Sequence, residues 1–209
     1  MTNEAHSPDA LIRSNNYRQI YHLFEYPSPE KGISLSREMD IDFPDGESAG
    51  QLKAVQDRLT EFFQGVTDTE ELEAEYVRLF DYRPACPPYE NAYRRDFLAH
   101  DLVSDLATFY REAGARCGDA RATDHVSVEF EFMHYLCYQE AVAAPAERVM
   151  WRERQRLFLK NHLMVWVPSF AEALVKQAAS PYCLLGELVK ALMEIESLFL
   201  AEREGEPDA

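Results

Sequence analysis

The sequence lacks several motifs on which large classes of enzyme depend. Only eight of its 209 residues are glycine, and neither G-x-x-x-x-G-K-[ST] nor G-x-G-x-x-G occurs, so no phosphate-binding loop is predicted. It also contains no G-x-S-x-G nucleophile elbow and no H-E-x-x-H zinc motif. These absences argue against nucleotide-hydrolysing enzymes, α/β-hydrolases and zinc proteases.

Basic residues and long apolar runs are also scarce. Lys and Arg number 21 against 37 Asp and Glu, a net charge of −16, which disfavours nucleic acid and anionic membranes as partners. No apolar run approaches the roughly 18 residues that a membrane span needs, and the first ten residues do not resemble a secretory signal. The four cysteines form no C-x-x-C pair, as expected of reduced thiols. We therefore predict a cytoplasmic protein with no stable membrane insertion and no nucleic-acid partner.

Apolar residues recur at helical spacing along most of the chain. The predicted helices run over 9–26, from Leu52 to Gly65, from Asp68 or Thr69 to Phe80, from Phe97 to Tyr110, from Asp124 through Cys137, from Pro145 until Pro168 kinks or breaks the helix, and from Cys183 to Leu200. Asp124 is expected to cap a helix that is buried on two sides. The prediction is an all-α, single-domain helical bundle over 1–209, with a loop at 27–50, a proline-rich loop at 81–94 and a polar tail at 201–209.

The candidate catalytic groups are few. Glu131-x-x-His134 is half of a di-iron bundle motif, but the second copy that such a site needs does not occur. His134 is better interpreted as a histidine of the core or its rim. Cys86 lies between prolines in a predicted surface loop, without a nearby histidine or a basic cluster that would lower the pKa of its thiol. We therefore predict no catalytic residue, no metal and no cofactor.

The segment 75–96, EYVRLFDYRPACPPYENAYRRD, is the most unusual part of the chain. Its prolines stiffen the backbone, which reduces the entropy lost when a partner docks. Tyr82, Tyr89 and Tyr93 offer the amphipathic contact area that is enriched at binding hot spots. The alternative, that the prolines and Tyr89 only pack the loop against the core, stays open on composition alone.

Three motifs resemble those of the TorD/DmsD/NarJ family of redox-enzyme maturation chaperones. Residues 75–80 match E-[YFW]-x-x-L-F, and residues 88–93 match P-[YW]-[EG]-S-x-[YW] with Asn91 in place of serine. The run 124–133 resembles the family's Asp-His helix start followed by Phe-Met, and 162–170 resembles H-L-x-x-W-x-P-x-F. The motifs occur in the family's order and cover residues 75 to 170.

The resemblance implies a TorD-like all-helical chaperone and not an enzyme. Such a chaperone would bind the apo form of a molybdopterin oxidoreductase of the dimethyl-sulfoxide-reductase type, together with its twin-arginine signal peptide. It would hold this client in the cytoplasm during cofactor insertion and before export. The resemblance leaves open a homodimer and the identity of the client, and no phosphate-binding motif supports the guanine-nucleotide binding suggested for a few relatives.

A twin-arginine signal offers two guanidinium groups and then an apolar stretch, so its receptor needs carboxylates beside an apolar groove. The predicted partner-binding residues are Tyr76, Leu79 and Phe80 as groove wall, Pro87, Pro88 and Tyr89 as rim, Glu90 and Asp124 as arginine partners, His125 as a residue that positions Asp124, and Tyr93 as a further contact. Asp124 as a mere helix cap is the simpler alternative. Two other functions remain open: a general assembly factor for a non-exported enzyme subunit, and a metalloprotein using Glu131 and His134.

Overall fold

A computed structural model describes residues 7–27, 39–42, 49–95, 98–116, 122–177 and 181–201. The helices are α1 Pro8–Leu23, α2 Ala49–Gly65, α3 Glu70–Phe80, α4 Ala99–Glu112, α5 Val126–Val142, α6 Pro145–Phe158, α7 Met164–Gln177 and α8 Tyr182–Ala201. The predicted all-α class is confirmed. Much of the predicted loop at 27–50, namely 28–38 and 43–48, and the tail at 202–209 lie outside the described residues.

Helix α5 forms the centre of the bundle. It runs antiparallel to α1, since the Ser7 amide donates to the Ala141 carbonyl at 3.3 Å while Ser14 Oγ donates to the His134 carbonyl at 3.2 Å. Helix α6 folds back along it after a short turn. Because neighbours cover several faces of α5, apolar side chains such as Phe130 and Phe132 are buried all round the helix, as the sequence predicted.

Pro168 was predicted to kink or break its helix, and the predicted break is wrong. Helix α7 continues through Pro168, and the irregularity is a π turn at Leu159–Leu163 that joins α6 to α7. The helical hydrogen bond that a proline cannot make would go to the residue four positions earlier. Here that residue is Met164, where the π turn gives way to α7, so the missing bond falls where the hydrogen-bond pattern changes.

Helices α7 and α8 approach each other closely at Gly186. A Cβ atom at this position would lie 2.9 Å from both the Ala171 carbonyl oxygen and the Leu174 Cβ. A backbone carbonyl cannot move aside as the end of a flexible side chain can. The glycine is therefore required by the packing of the two helices.

A buried polar cluster joins α1 and α8 through α6. Arg13 donates to both carboxylate oxygens of Glu196, with Nε–Oε1 at 3.0 Å and Nη2–Oε2 at 2.5 Å, and to Gln155 Oε1 at 2.6 Å. Gln155 Nε2 in turn donates to Glu140 Oε2 at 2.9 Å. Burial raises the pKa of the neighbouring Cys137 thiol to about 12. No motif in the sequence marks this cluster.

Candidate functional site

The proline-rich loop is fixed to the bundle at both ends. On one side, the Cys86 amide donates to the Leu79 carbonyl at 2.9 Å. On the other side, the Val126 amide donates to the Pro88 carbonyl at 2.9 Å, and the Glu90 amide donates to the Asp124 carbonyl at 3.0 Å. The Cys86 side chain is fully buried, so the prediction of a surface thiol is wrong. Burial raises the pKa of this thiol, which makes it unreactive.

Glu90 lies at the heart of the site and is completely buried. Its carboxylate accepts a hydrogen bond from Arg94 Nη1 at 2.8 Å and one from His162 Nδ1 at 3.0 Å. The same Arg94 nitrogen donates to the Asn161 carbonyl at 2.7 Å. Asn161 and His162 belong to the π turn, an irregularity that is frequent at functional sites. The turn therefore brings a carbonyl and an imidazole to the same carboxylate.

Asp124 and His125, at the start of α5, have separate roles, whereas the sequence predicted that Asp124 would cap the helix. Asp124 is buried, and its Oδ2 accepts hydrogen bonds from the backbone amide of Asn91, at 3.3 Å, and from the side-chain amide of Asn91. The α5 cap is His125, whose Nδ1 accepts from the Ser127 amide at 3.2 Å. The prediction of Asp124 as the cap is wrong, because the backbone bridge between Tyr89 and His125 keeps His125 extended at the helix start.

A second carboxyl group is buried beside Glu90. Glu129 Oε2 accepts from Trp166 Nε1 at 3.0 Å, whereas its Oε1 has no hydrogen-bond partner. Burial, and next the negative charge of Glu90, raise the pKa of Glu129 well above its usual range. The Trp166 ring also packs on Tyr93, with ring centroids 5.6 Å apart. Burial and the neighbouring Glu90 thus favour the neutral acid form of Glu129.

We expect the free energy of unfolding to depend on pH because of the raised pKa of Glu129. A carboxyl group with a raised folded-state pKa contributes stability that is complete below about pH 4.5, its unfolded value, and is lost as the pH rises towards the folded pKa. The free energy of unfolding of wild type should therefore fall relative to Glu129→Gln above about pH 4.5, by at most about 1.4 kcal/mol per pH unit. Urea unfolding between pH 5 and 8 measures this difference.

The control for this experiment is Glu131→Gln, which changes an exposed residue of the same helix. Its unfolding free energy should follow that of wild type at every pH. Parallel curves for wild type and Glu129→Gln would show that Glu129 is ionised in the folded protein, and would contradict the prediction.

The residues predicted as groove wall lie at different depths. Leu79 and Phe80 are buried in the core. Tyr76 is half-buried, and its hydroxyl donates to the Phe24 carbonyl at 3.2 Å. The edge of this region is formed by Tyr26, 47% exposed, whose ring lies 5.3 Å from that of Tyr76. A direct contact of Leu79 or Phe80 with a partner would need the loop to move, and it stays a prediction.

Aromatic rings connect the predicted groove wall at Tyr76 and Phe80 to the proline-rich loop. Phe80 packs on Tyr76 at 5.0 Å and on Phe170 at 6.3 Å between ring centroids. Phe170 packs on Tyr93 at 6.1 Å. Tyr89, half-buried, packs edge-on against His125 at 5.2 Å, and Pro88 beside it is buried while Pro87 is half-buried. All ten predicted residues therefore belong to one continuous region, although several lie beneath its surface.

His134, from the alternative metal motif Glu131-x-x-His134, contacts Ser14 of α1. His134 Nδ1 donates to the Ser14 carbonyl at 2.9 Å and lies 2.9 Å from Ser14 Oγ. Burial lowers the pKa of this histidine. Within the described ranges, no three or more histidine, cysteine, aspartate or glutamate side chains are grouped as metal ligands would be. His134 thus links α5 to α1.

The model of the family described as "Nitrate reductase delta subunit" matches residues 45–172, more than half of the chain. The chain belongs to this family. The matched residues of this chain include the proline-rich loop, the start of α5 and the π turn. The resemblance to redox-enzyme maturation chaperones is thereby confirmed, and the site described above lies at the centre of the family's shared sequence.

Two relatives in this family are named as assembly chaperones. The selenate reductase assembly chaperone of Thauera selenatis is 32% identical over 72% of this chain and 90% of its own length. The chlorate reductase assembly chaperone of Ideonella dechloratans is 30% identical over 66% and 75%. Both names describe chaperones and not enzymes. This chain accordingly belongs with the redox-enzyme maturation chaperones.

A solved structure shares the fold. A candidate redox enzyme maturation protein of Archaeoglobus fulgidus matches 88% of this chain and 93% of its own, with a TM-score of 0.54 and 18% sequence identity. In the described part of this family member, no helix combines the length and apolar character needed to cross a membrane.

Sequence reasoning missed two members of the site, Arg94 and Glu129. Arg94 follows Glu90 by four residues, the spacing that pairs opposite charges on one turn of helix, and this spacing could have identified the pair. Glu129 interrupts the otherwise apolar run of α5, and a carboxylate on a doubly buried helix signals an internal partner. His162 and Trp166 were part of a recognised motif, but nothing in the sequence predicted that they meet Glu90 and Glu129.

Proposed function

We propose that this chaperone acts in the cytoplasm on a molybdopterin oxidoreductase and binds its N-terminal, twin-arginine signal peptide at the region of Tyr76, Tyr89 and Glu90. The observation that carries the proposal is the proline-rich loop, in which half-buried Tyr89 is adjacent to buried Glu90, and the Glu90 amide donates to buried Asp124. The names of the two relatives support a reductase as the client.

The surface beside this loop suits a basic and apolar peptide. Tyr82 is 77% exposed and Val77 is 38% exposed, so apolar area is available next to the loop. Exposed or half-exposed carboxylates occur nearby in the sequence at Glu73, Glu75 and Asp81, of which Glu75 is paired with Arg78. With a net charge of −16 on the whole chain, this face would attract a cationic leader and orient its arginines.

Titration calorimetry tests the proposal. The probes are synthetic N-terminal peptides of the selenate and chlorate reductase catalytic subunits and of any molybdopterin oxidoreductase that is encoded beside this chaperone. We expect at least one to bind wild type, and Tyr89→Ala to weaken that binding about tenfold or more, as loss of a hot-spot tyrosine does.

Tyr138→Ala provides the matched control, because Tyr138 is a 47% exposed tyrosine on α5 outside the region described above. Its peptide affinity should equal that of wild type. If no peptide binds but a cofactor-free reductase lacking its N-terminal peptide does, the chaperone recognises the enzyme body, as a general assembly factor for a non-exported subunit would.

A further inference from the structure

The buried carboxylate of Glu90 is already bound to a guanidinium group from its own chain. Arg94 Nη1 lies between Glu90 Oε1, at 2.8 Å, and the carbonyl oxygen of Asn161, at 2.7 Å. The Arg94 side chain is only 8% exposed. A charged carboxylate and a backbone carbonyl converging on one nitrogen form a specific acceptor site for a guanidinium group.

Two further buried side chains border this acceptor site. His162 Nδ1 donates to Glu90 from the side of the π turn, and Glu129, with an unpartnered Oε1, contributes a second buried carboxyl group. The π turn supplies the Asn161 carbonyl because its hydrogen-bond pattern departs from that of a regular α-helix. These acceptors remain in place whichever guanidinium group occupies them.

The sequence around Arg94 also resembles the proposed ligand. Arg94 is followed by a second arginine, Arg95, and then by Phe97 and Leu98. A twin-arginine leader likewise presents two arginines followed by an apolar stretch. Leu98, at 65% exposure, is one of the most exposed apolar residues among those described. The chaperone thus carries, next to its own binding loop, a short internal copy of the chemistry that it is proposed to recognise.

We infer that Glu90 and the Asn161 carbonyl form a guanidinium-binding site, which Arg94 occupies in the free chaperone and which an arginine of the client's leader peptide takes over in the complex. This inference rests on the proposed function for the identity of the ligand, but not for the existence of the site. Arg94 would then act as an internal competitor. An internal competitor lowers the apparent affinity in proportion to the fraction of time for which it leaves the site.

If Arg94 competes with the leader peptide, replacing Arg94 should strengthen peptide binding. Replacing a residue that only maintains the structure of the site should weaken it. Arg94→Gln keeps a hydrogen-bond donor for Glu90 but removes the competing cation. If Arg94 leaves the site about one tenth of the time, this variant should bind the leader peptide up to about tenfold more tightly. Arg95→Gln, which changes the exposed neighbour, is the control and should bind as wild type does.

A second measurement needs no leader peptide. Arg94→Ala removes the guanidinium group and leaves a space of its shape between Glu90 and Asn161. Ethylguanidine at millimolar concentration should therefore raise the thermal unfolding temperature of Arg94→Ala more than that of wild type or Arg95→Ala. The expected difference is several degrees, since a ligand that binds only the folded state shifts the unfolding equilibrium towards it.

The possible outcomes distinguish a failure of the guanidinium-binding site from a failure of the proposed function. Equal effects of ethylguanidine on all three proteins would overturn the guanidinium site. Unchanged or weaker leader binding by Arg94→Gln, with its far-UV circular dichroism intact, would overturn the competition. If no leader peptide binds wild type, the proposed function fails, while selective stabilisation of Arg94→Ala by ethylguanidine would still establish the site.

Discussion

Replacing Glu90 with alanine should lower the free energy of unfolding by about 3–5 kcal/mol, the usual cost of removing one partner from a buried ion pair. Glu90 is completely buried, and its removal leaves Arg94, 8% exposed, and His162, fully buried, without their carboxylate. Both side chains would then be largely enclosed by protein without the carboxylate that they share. Urea unfolding at neutral pH measures the loss.

The control for this prediction is Glu153→Ala. Glu153 pairs with Arg156 on the outer face of α6, where its side chain is 50% exposed. Such surface pairs contribute about 0–1 kcal/mol, so this variant should unfold nearly as wild type does. A loss of similar size in both variants would mean that the Glu90 pair is as well solvated as the surface pair. Glu90→Gln, which keeps an acceptor for Arg94, should lose less than Glu90→Ala.

Glu196→Ala should cause a loss of similar size at the other side of the bundle. Arg13 is 16% exposed and donates to both oxygens of Glu196. Removing the carboxylate leaves a nearly buried guanidinium group that still donates to Gln155 but has lost its charge partner, at an expected cost of about 3–5 kcal/mol. Glu187→Ala on the same helix, which breaks an exposed pair with Arg58 at 3.8 Å, should cost about 1 kcal/mol or less.

The double variant Arg13→Met with Glu196→Leu sharpens this prediction. Both charges leave together, so no unpaired ion stays buried, and such replacements are often neutral or stabilising. The double variant should therefore recover most of the stability that Glu196→Ala loses. A double variant as unstable as the single one would show that the cluster stabilises the bundle through geometry and not through charge pairing.

The helices could be predicted because each needs only local information. The spacing of residues such as Leu72 and Leu79 in α3 predicts one apolar face, and the structure buries both. The π turn at Leu159–Leu163 was not predictable in the same way, since one extra residue in a turn shifts an apolar pattern too little to detect. Cys86 was assigned to the surface from its proline neighbours, but the loop folds inwards and buries it.

The candidate site shows the same division between local and distant information. The motifs singled out Glu90 and Asp124 as arginine partners, which stays a prediction, and the structure joins the two residues by a backbone hydrogen bond. Their burial depends on contacts that are distant in sequence, such as that between Glu90 and His162, 72 positions apart. The motif alone therefore predicts an exposed carboxylate that contacts a partner. The burial of Glu90 becomes evident only when the positions of His162 and Arg94 are known.

The pairing of Arg13 with Glu196 has a consequence for synthesis of the protein. The two residues are 183 positions apart, so the arginine leaves the ribosome long before its partner is made. At about 5–20 residues per second, the interval is on the order of 10–40 s. During this time α1 can associate with α5 only with an unneutralised cation in the growing core. This family member thus acquires the ion pair of its buried polar cluster only when almost all of its chain has been translated.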